Sequence, residues 1–257
     1  MSTIPEPQAP TFENIPSQTT FSDEYQTMLT NILKELDNSK HPHNHDVAGI
    51  ALNDIIQKLM PFIQNYNMEY TQGNIANGQK AATYALDMTN YISDQYQEVG
   101  ADKSTDPNKT ANDQAAAGRA IKAMTDFSNF LSSTATAAKN LHIGDPFGTM
   151  GANIQGQLEN ITDKTSDPGT LATYWENSWD MSSSSSSGVT GNATNSAIMQ
   201  DINGAQNQAQ SEAAYLQSEA KIANENYQQY TATGHDIAQN VVNVEKASVT
   251  ASQSAGN

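Results

Sequence analysis

Small and apolar residues recur at steps of three and four through 197–249, at Ile198, Ile202, Ala205, Ala209, Ala213, Leu216, Ala220, Ala223, Tyr227, Tyr230, Gly234, Ile237, Val241 and Val244. That period is the signature of one face of an α-helix, and no proline interrupts it. At 1.5 Å per residue such a helix spans roughly 75 Å, so it needs a partner along its length. Ala205, Ala209 and Ala213 are separated by two successive steps of four, which locally turns a heptad into an eleven-residue element and relaxes the supercoil. Ala and Gly fill six of these positions. The seam therefore buries little apolar area per turn and favours close approach of several helices over an isolated two-stranded coil.

A second pattern of the same period runs through Ile55, Leu59, Ile63, Tyr66, Tyr70, Gly73, Asn77, Ala81, Tyr84, Met88 and Tyr91. It predicts a long helix beginning after Asp46, with Pro61 forcing either a kink or a fresh start near Met60. Its tyrosines and methionines, at helical spacing, read as core. This face has the bulk that the C-terminal seam lacks, so the two are expected to pair, parallel or antiparallel, large against small. A shorter amphipathic helix precedes it, capped by Ser22 or Asp23, with Tyr25, Met28, Leu29, Ile32, Leu33 and Leu36 on one side.

Between the two long patterns lie shorter ones. GADKSTDPNKT reads as a loop ending at Asp106-Pro107, a cap and first helical residue. The helix after it should run to about Asn140, with Ala117, Ile121, Met124, Phe127, Phe130 or Leu131, and Ala135 or Ala138 inward. An HIGDPFG turn, a weak helix through Ile154, Leu158 and Ile161, and a second Asp-Pro start at Asp167-Pro168 follow. Both tryptophans, Trp175 and Trp179, fall in the last of these helices and form either the core of a small middle subdomain or a recognition surface, core being the better reading. Six serines over 182–187, followed by Gly188 and Gly191, read as a flexible connection, with Asn192 or Thr194 capping the final helix.

The expected organisation is thus a disordered segment over 1–20, which holds four prolines, N-terminal helices over 21–99 and a variable helical middle over 100–191. The long C-terminal helix over 192–250 and a flexible tail over 251–257 complete it. The fold class is all-α: an elongated coiled-coil hairpin of two long helices with a smaller helical middle region and a disordered N-terminus.

Composition narrows the function classes. The chain has 257 residues, 37% hydrophobic but only 16% charged, so its surface is polar without dense charge. A net charge of -16, with no Lys/Arg cluster, argues against nucleic acid or an anionic membrane as partner. The absence of cysteine excludes disulfides, thiol catalysis and Cys-based zinc sites. No apolar run approaches the ~18 residues of a membrane span. The start, MSTIPEPQAPTFENIPSQTT, has neither the basic nor the apolar region of a cleavable secretory signal, and its composition suits a type III export signal or any flexible tail.

Sites for chemistry are sparse. His41, His43 and His45 in HPHNH are spaced to meet a metal if extended, but no carboxylate framework surrounds them and Pro42 makes the run a linker. His142 with Asp145 is explained by a Gly-Asp-Pro turn. Asp87 with Asp94, and Glu212 with Glu219, stand seven apart as in a solvated stripe. No phosphate loop, nucleophile elbow, HExxH helix or EF-hand occurs. The chain is therefore expected not to be an enzyme and to need no cofactor.

The stretches LMPFIQNYNMEYTQGNIANGQKAATYALDMTNYISDQYQ (59–97) and INGAQNQAQSEAAYLQSEAKIANENYQQYTATG (202–234) resemble the long helices of the EspA-like filament and needle-tip proteins of bacterial type III secretion systems. The resemblance covers under a third of the chain. It implies a secreted subunit at the bacterial surface whose two long helices pair and then pack side by side into a hollow helical filament that carries exported proteins. Its implied partners are further copies of itself, a secretion chaperone, components of the secretion apparatus and a host surface. The residues that would carry self-assembly are Ile55, Leu59, Ile63, Tyr66, Tyr70, Tyr84, Met88, Tyr91, Ile202, Ala209, Leu216, Ala220, Ala223, Tyr227, Tyr230, Gly234, Ile237, Val241 and Val244. The middle, longer than in that family, and the ASVTASQSAGN extension depart from its pattern. The alternative is a secreted effector or translocation accessory protein that binds a partner through its helices as a monomer or dimer.

Overall fold

The computed structural model describes residues 5–15, 18–38, 55–101, 105–141, 147–180 and 186–255, without the side chains of 18–20, 35–38, 137–141, 186–190, 235, 238, 241, 242 and 244–255. Among these residues every regular element is helical. The elements are α1 (Gln18–Asn38), a π-helical turn (Ile55–Leu59), α2 (Met60–Ala101), α3 (Lys109–Leu141), α4 (Gly148–Ile161), α5 (Pro168–Trp179) and α6 (Ser186–Ala255). They divide into two compact units. Unit one comprises Met1–Phe12 with Ala76–Gln217, and unit two comprises Glu13–Ile75 with Ser218–Asn257.

Local chemistry explains most boundaries. The α-helical repeat starts afresh at Met60, which places Pro61 in the first turn, where its missing N–H has no intrahelical partner to lose. The expected Asp46 cap lies outside the described residues, as do the HPHNH run and the His142–Asp145 pair. Asp167 caps α5 as its Asp-Pro start predicts: the carboxylate accepts the Thr170 N–H at 2.7 Å. These bonds to the ionised form hold its carboxyl below the usual range, the Thr170 hydroxyl contributing most. Asp106 and Pro107 do not open α3 as expected: Asp106 accepts the Asn108 N–H at 2.8 Å in a turn, and the helix begins only at Lys109.

Several expectations need correction. The first helix begins at Gln18, so neither Ser22 nor Asp23 caps it. The final helix begins at Ser186, so neither Asn192 nor Thr194 caps it, and Gly188 and Gly191 are helical rather than part of a linker. Gly191 is buried, with the Asn177 and Asp180 carbonyls too close for a side chain, so this glycine serves a close approach of α6 to the end of α5 rather than a flexible connection. At its other end α6 continues to Ala255, beyond residue 250. The N-terminal stretch is non-helical over 5–15, but it is packed rather than free: Glu6 pairs with Lys122, Phe12 lies against Phe130, and Ile15 is buried.

The core of unit one is an aromatic and alanine cluster. Ala81, Ala82 and Ala85 of α2, with Ala116, Ala117, Ala120 and Ala123 of α3, are fully buried and let backbones approach closely. Tyr96 is the hub. Its ring meets Trp175 edge-on at 5.5 Å and stacks on Trp179 at 5.0 Å. Its hydroxyl pairs with Ser178 Oγ at 2.8 Å and accepts the Asn195 amide at 2.8 Å. Trp175, fully buried, donates its indole N–H to the Ile161 carbonyl at 2.8 Å, so the tryptophan window is core. The Tyr96–Asn195 and Asn90–Gln206 bonds set α2 and α6 antiparallel in this unit.

One ionic joint links α3 to α5. The Lys109 ammonium bonds Asp113 and, at 2.7 Å, Glu176. The Asp113 side chain is almost wholly buried, and its Oδ1 finds no donor. Burial, with the Glu176 carboxyl beside it, raises the Asp113 carboxyl to about 6. Hydrogen bonds from Asp113 and Lys109 lower that of Glu176.

Candidate assembly face

Unit two is built on a smaller core. Ile32 of α1 and Leu59 of the π-helical turn are its buried pair, surrounded by Tyr25, Met28, Ile55 and Ile63. Phe21 of α1 lies 4.0 Å from the Tyr66 ring and 5.3 Å from that of Phe62, and Tyr66 stacks in turn on Tyr70 at 6.0 Å. Burial, then the neighbouring Tyr70, raises the Tyr66 hydroxyl above its ordinary value. Ile15 fits the space left by Gly73, 3.0 Å from where a Cβ would stand.

The bulky half-face of residues 55–70 was expected to cover the small seam of α6. Instead Ile55, Leu59, Ile63 and Tyr66 pack against α1. The reason is area: the rings and branched chains of α1 bury more apolar surface than alanines and a glycine can offer. Tyr84, Met88 and Tyr91 do share a core with the seam, in unit one, where they join Ile202 and Ala209 in one buried cluster; Leu216 is also buried.

Beyond Leu216 the seam opens. Ala220, Ala223, Tyr227 and Gly234 are half-buried. Tyr230 is 64% exposed and Ile237 41% exposed, so at these positions the bulky face of α2 does not cover the seam as the expected pairing requires; Ile222, on the flank of the seam, is 46% exposed. The side chains of Val241 and Val244 lie outside the described residues. The contacts between α2 and α6 here are polar. The Tyr227 hydroxyl bonds Asn65 Oδ1 at 3.1 Å, and the Gln64 amide donates to the Tyr230 carbonyl at 3.3 Å, again with the helices antiparallel. A Cβ on Gly234 would sit 3.7 Å from Gln64 Nε2, so Gly234 faces α2 of its own chain.

Between these helices runs a groove of 440 Å³, bordered by Ile63 and Met68 on one side and Ile222, Ala223 and Tyr230 on the other. The charged residues of α6 over 220–244 are only Lys221, Glu225 and Asp236. Sequence periodicity singled out Tyr230 and Ile237 but not the exposed Ile222, whose signal is its position beside Ala223 on the stripe's edge. Among the described residues no helix is long and apolar enough to cross a membrane, and no group of three metal-ligating side chains forms. Nothing matches among protein-family models, curated proteins or solved structures.

Proposed function

We propose that the chain is a secreted structural subunit that self-assembles through its long helices, as a two-helix coiled-coil hairpin, into a type III secretion filament or needle-tip-type appendage through which exported proteins pass. The observation that carries this reading is the exposed row Ile222, Tyr230 and Ile237 on α6. Apolar side chains grouped on one helix face, beside a groove of mixed polar and apolar lining, mark an interaction surface. A chain of charge -16 repels its own copies, and α6 is charge-poor over this face, where a second copy meets the least repulsion. In this reading a secretion chaperone covers the face before export, and neighbouring copies cover it afterwards.

Electron microscopy and sedimentation of the purified chain over a concentration series test the reading. Regular filaments, or mass that grows with concentration, are the expected result. A monodisperse monomer at high concentration overturns it and favours the effector or accessory role. In the double variant Tyr230→Ser with Ile237→Ser, assembly should be lost while helical circular dichroism stays within error, since both side chains are exposed in the single chain. Unchanged assembly would move the contact elsewhere.

A further inference from the structure

The N-terminal segment that forms part of unit one is held in an unusual way. Glu6 places both carboxylate oxygens on the Lys122 ammonium, at 2.9 and 2.8 Å. At the other end Phe12 sets its ring edge on Phe130, with centroids 5.7 Å apart, and the Lys80 ammonium donates to the Thr11 carbonyl at 3.3 Å. Among the described residues no backbone hydrogen bond outside the helices involves 6–12, and Pro7 and Pro10 have no N–H to offer. The span between the two fastenings stands over a cavity of 770 Å³ floored by Tyr84, Asp126, Asn129 and Ser133. The segment is thus fastened near both ends, by the Glu6 carboxylate at one and by the Thr11 carbonyl and the Phe12 ring at the other. The residues that follow it, Glu13–Ile75, group with the other unit, and the chain returns to unit one at Ala76.

We propose that this seat takes the same segment from a second copy, so that residues 6–12 are exchanged between neighbouring subunits on assembly. The proposal rests on the self-assembly reading. The seat's chemistry selects a carboxylate and an aromatic ring six residues apart on a non-helical, proline-spaced segment, and every copy carries one. The contacts made within a chain and between chains are identical, so exchange replaces each bond with its equal, and assembly adds whatever the neighbouring faces contribute. Lys122 also bonds Asp126, at 2.6 Å, so the cation keeps a carboxylate partner while Glu6 is away. Release therefore leaves no unpaired charge at the seat.

The test uses the native chain. Unlabelled and heavy-isotope-labelled chains are mixed below the assembling concentration, concentrated, and treated with a carbodiimide, which joins a lysine only to a carboxylate in contact with it. Mass spectrometry then asks whether each Glu6–Lys122 link is isotopically uniform or mixed. In the sedimenting fraction the mixed share should approach about one half, the value for random exchange between copies. An assembled fraction with uniform links only overturns the exchange and leaves self-assembly standing. A mixture that stays monomeric with uniform links overturns both readings, and absence of any Glu6–Lys122 link overturns the seat itself.

Discussion

Both units draw on the two long helices α2 and α6, yet they bury them to different depths. In unit one α3, α4 and α5 bring Phe127, Ile154, Leu171 and Trp175 to the helices, and every one of these is buried. In unit two α1 is the added helix, and its contacts go to the first turns of α2. The same kind of Ala-rich seam is closed at Ala205 and Ala209 and open at Tyr230 and Ile237. A seam of small residues has too little apolar surface to close itself; it is buried only where something bulky is laid over it.

The largest test of that contrast is Trp175→Ala. Removing a fully buried indole that also satisfies the Ile161 carbonyl should cost about 3–5 kcal/mol, read as a lower midpoint in urea unfolding followed by circular dichroism. A midpoint near that of the parent would show that the core of unit one does not depend on its aromatic hub.

Two glycines of α6 sharpen the comparison. At Gly191 a Cβ would stand 2.7 Å from the Asn177 carbonyl oxygen and 2.9 Å from that of Asp180, both backbone atoms at the end of α5. Gly191→Ala should therefore destabilise by about 1–3 kcal/mol. At Gly234 the nearest atom is the end of a flexible glutamine at an ordinary contact distance. There Gly234→Ala should stabilise, by up to ~1 kcal/mol from helix propensity. Thermal melts of the pair should move in opposite directions, and equal shifts would erase the distinction between the closed and open parts of the helix.

The smallest effect concerns the ionic joint of unit one. Asp113 titrates at about 6 in the folded chain and near ~4 when unfolded. The native state therefore keeps this proton through the interval, so the contribution of Asp113 is present at the acid end and is lost as pH rises through about 6. Glu176, whose carboxyl is lowered, runs the other way, its contribution being lost as pH falls. Asp113→Asn keeps a donor towards Glu176 and removes the titration. Its melting temperature relative to the parent should rise between about pH 4.5 and about pH 7. A difference that does not vary with pH would mean the buried carboxyl is ionised throughout.

Much of this was legible in the residues alone. The three-and-four periodicity located α2 and α6, Pro61 marked the restart at Met60, and Asp167-Pro168 marked the start of α5, because each depends on contacts within one or two turns of chain. Periodicity also says which side chains share a face. What the face meets is a matter of contacts distant in sequence, and these were decided only on folding. Phe21 and Ile32 claimed the surface of Tyr66 and Leu59 that the α6 seam was expected to take, and the Asn177 and Asp180 carbonyls pack so close to α6 that only a glycine fits at 191. The non-helical segment 6–12 has no period to read, and its place on Lys122 and Phe130 depends on α3 setting those two side chains about two turns apart.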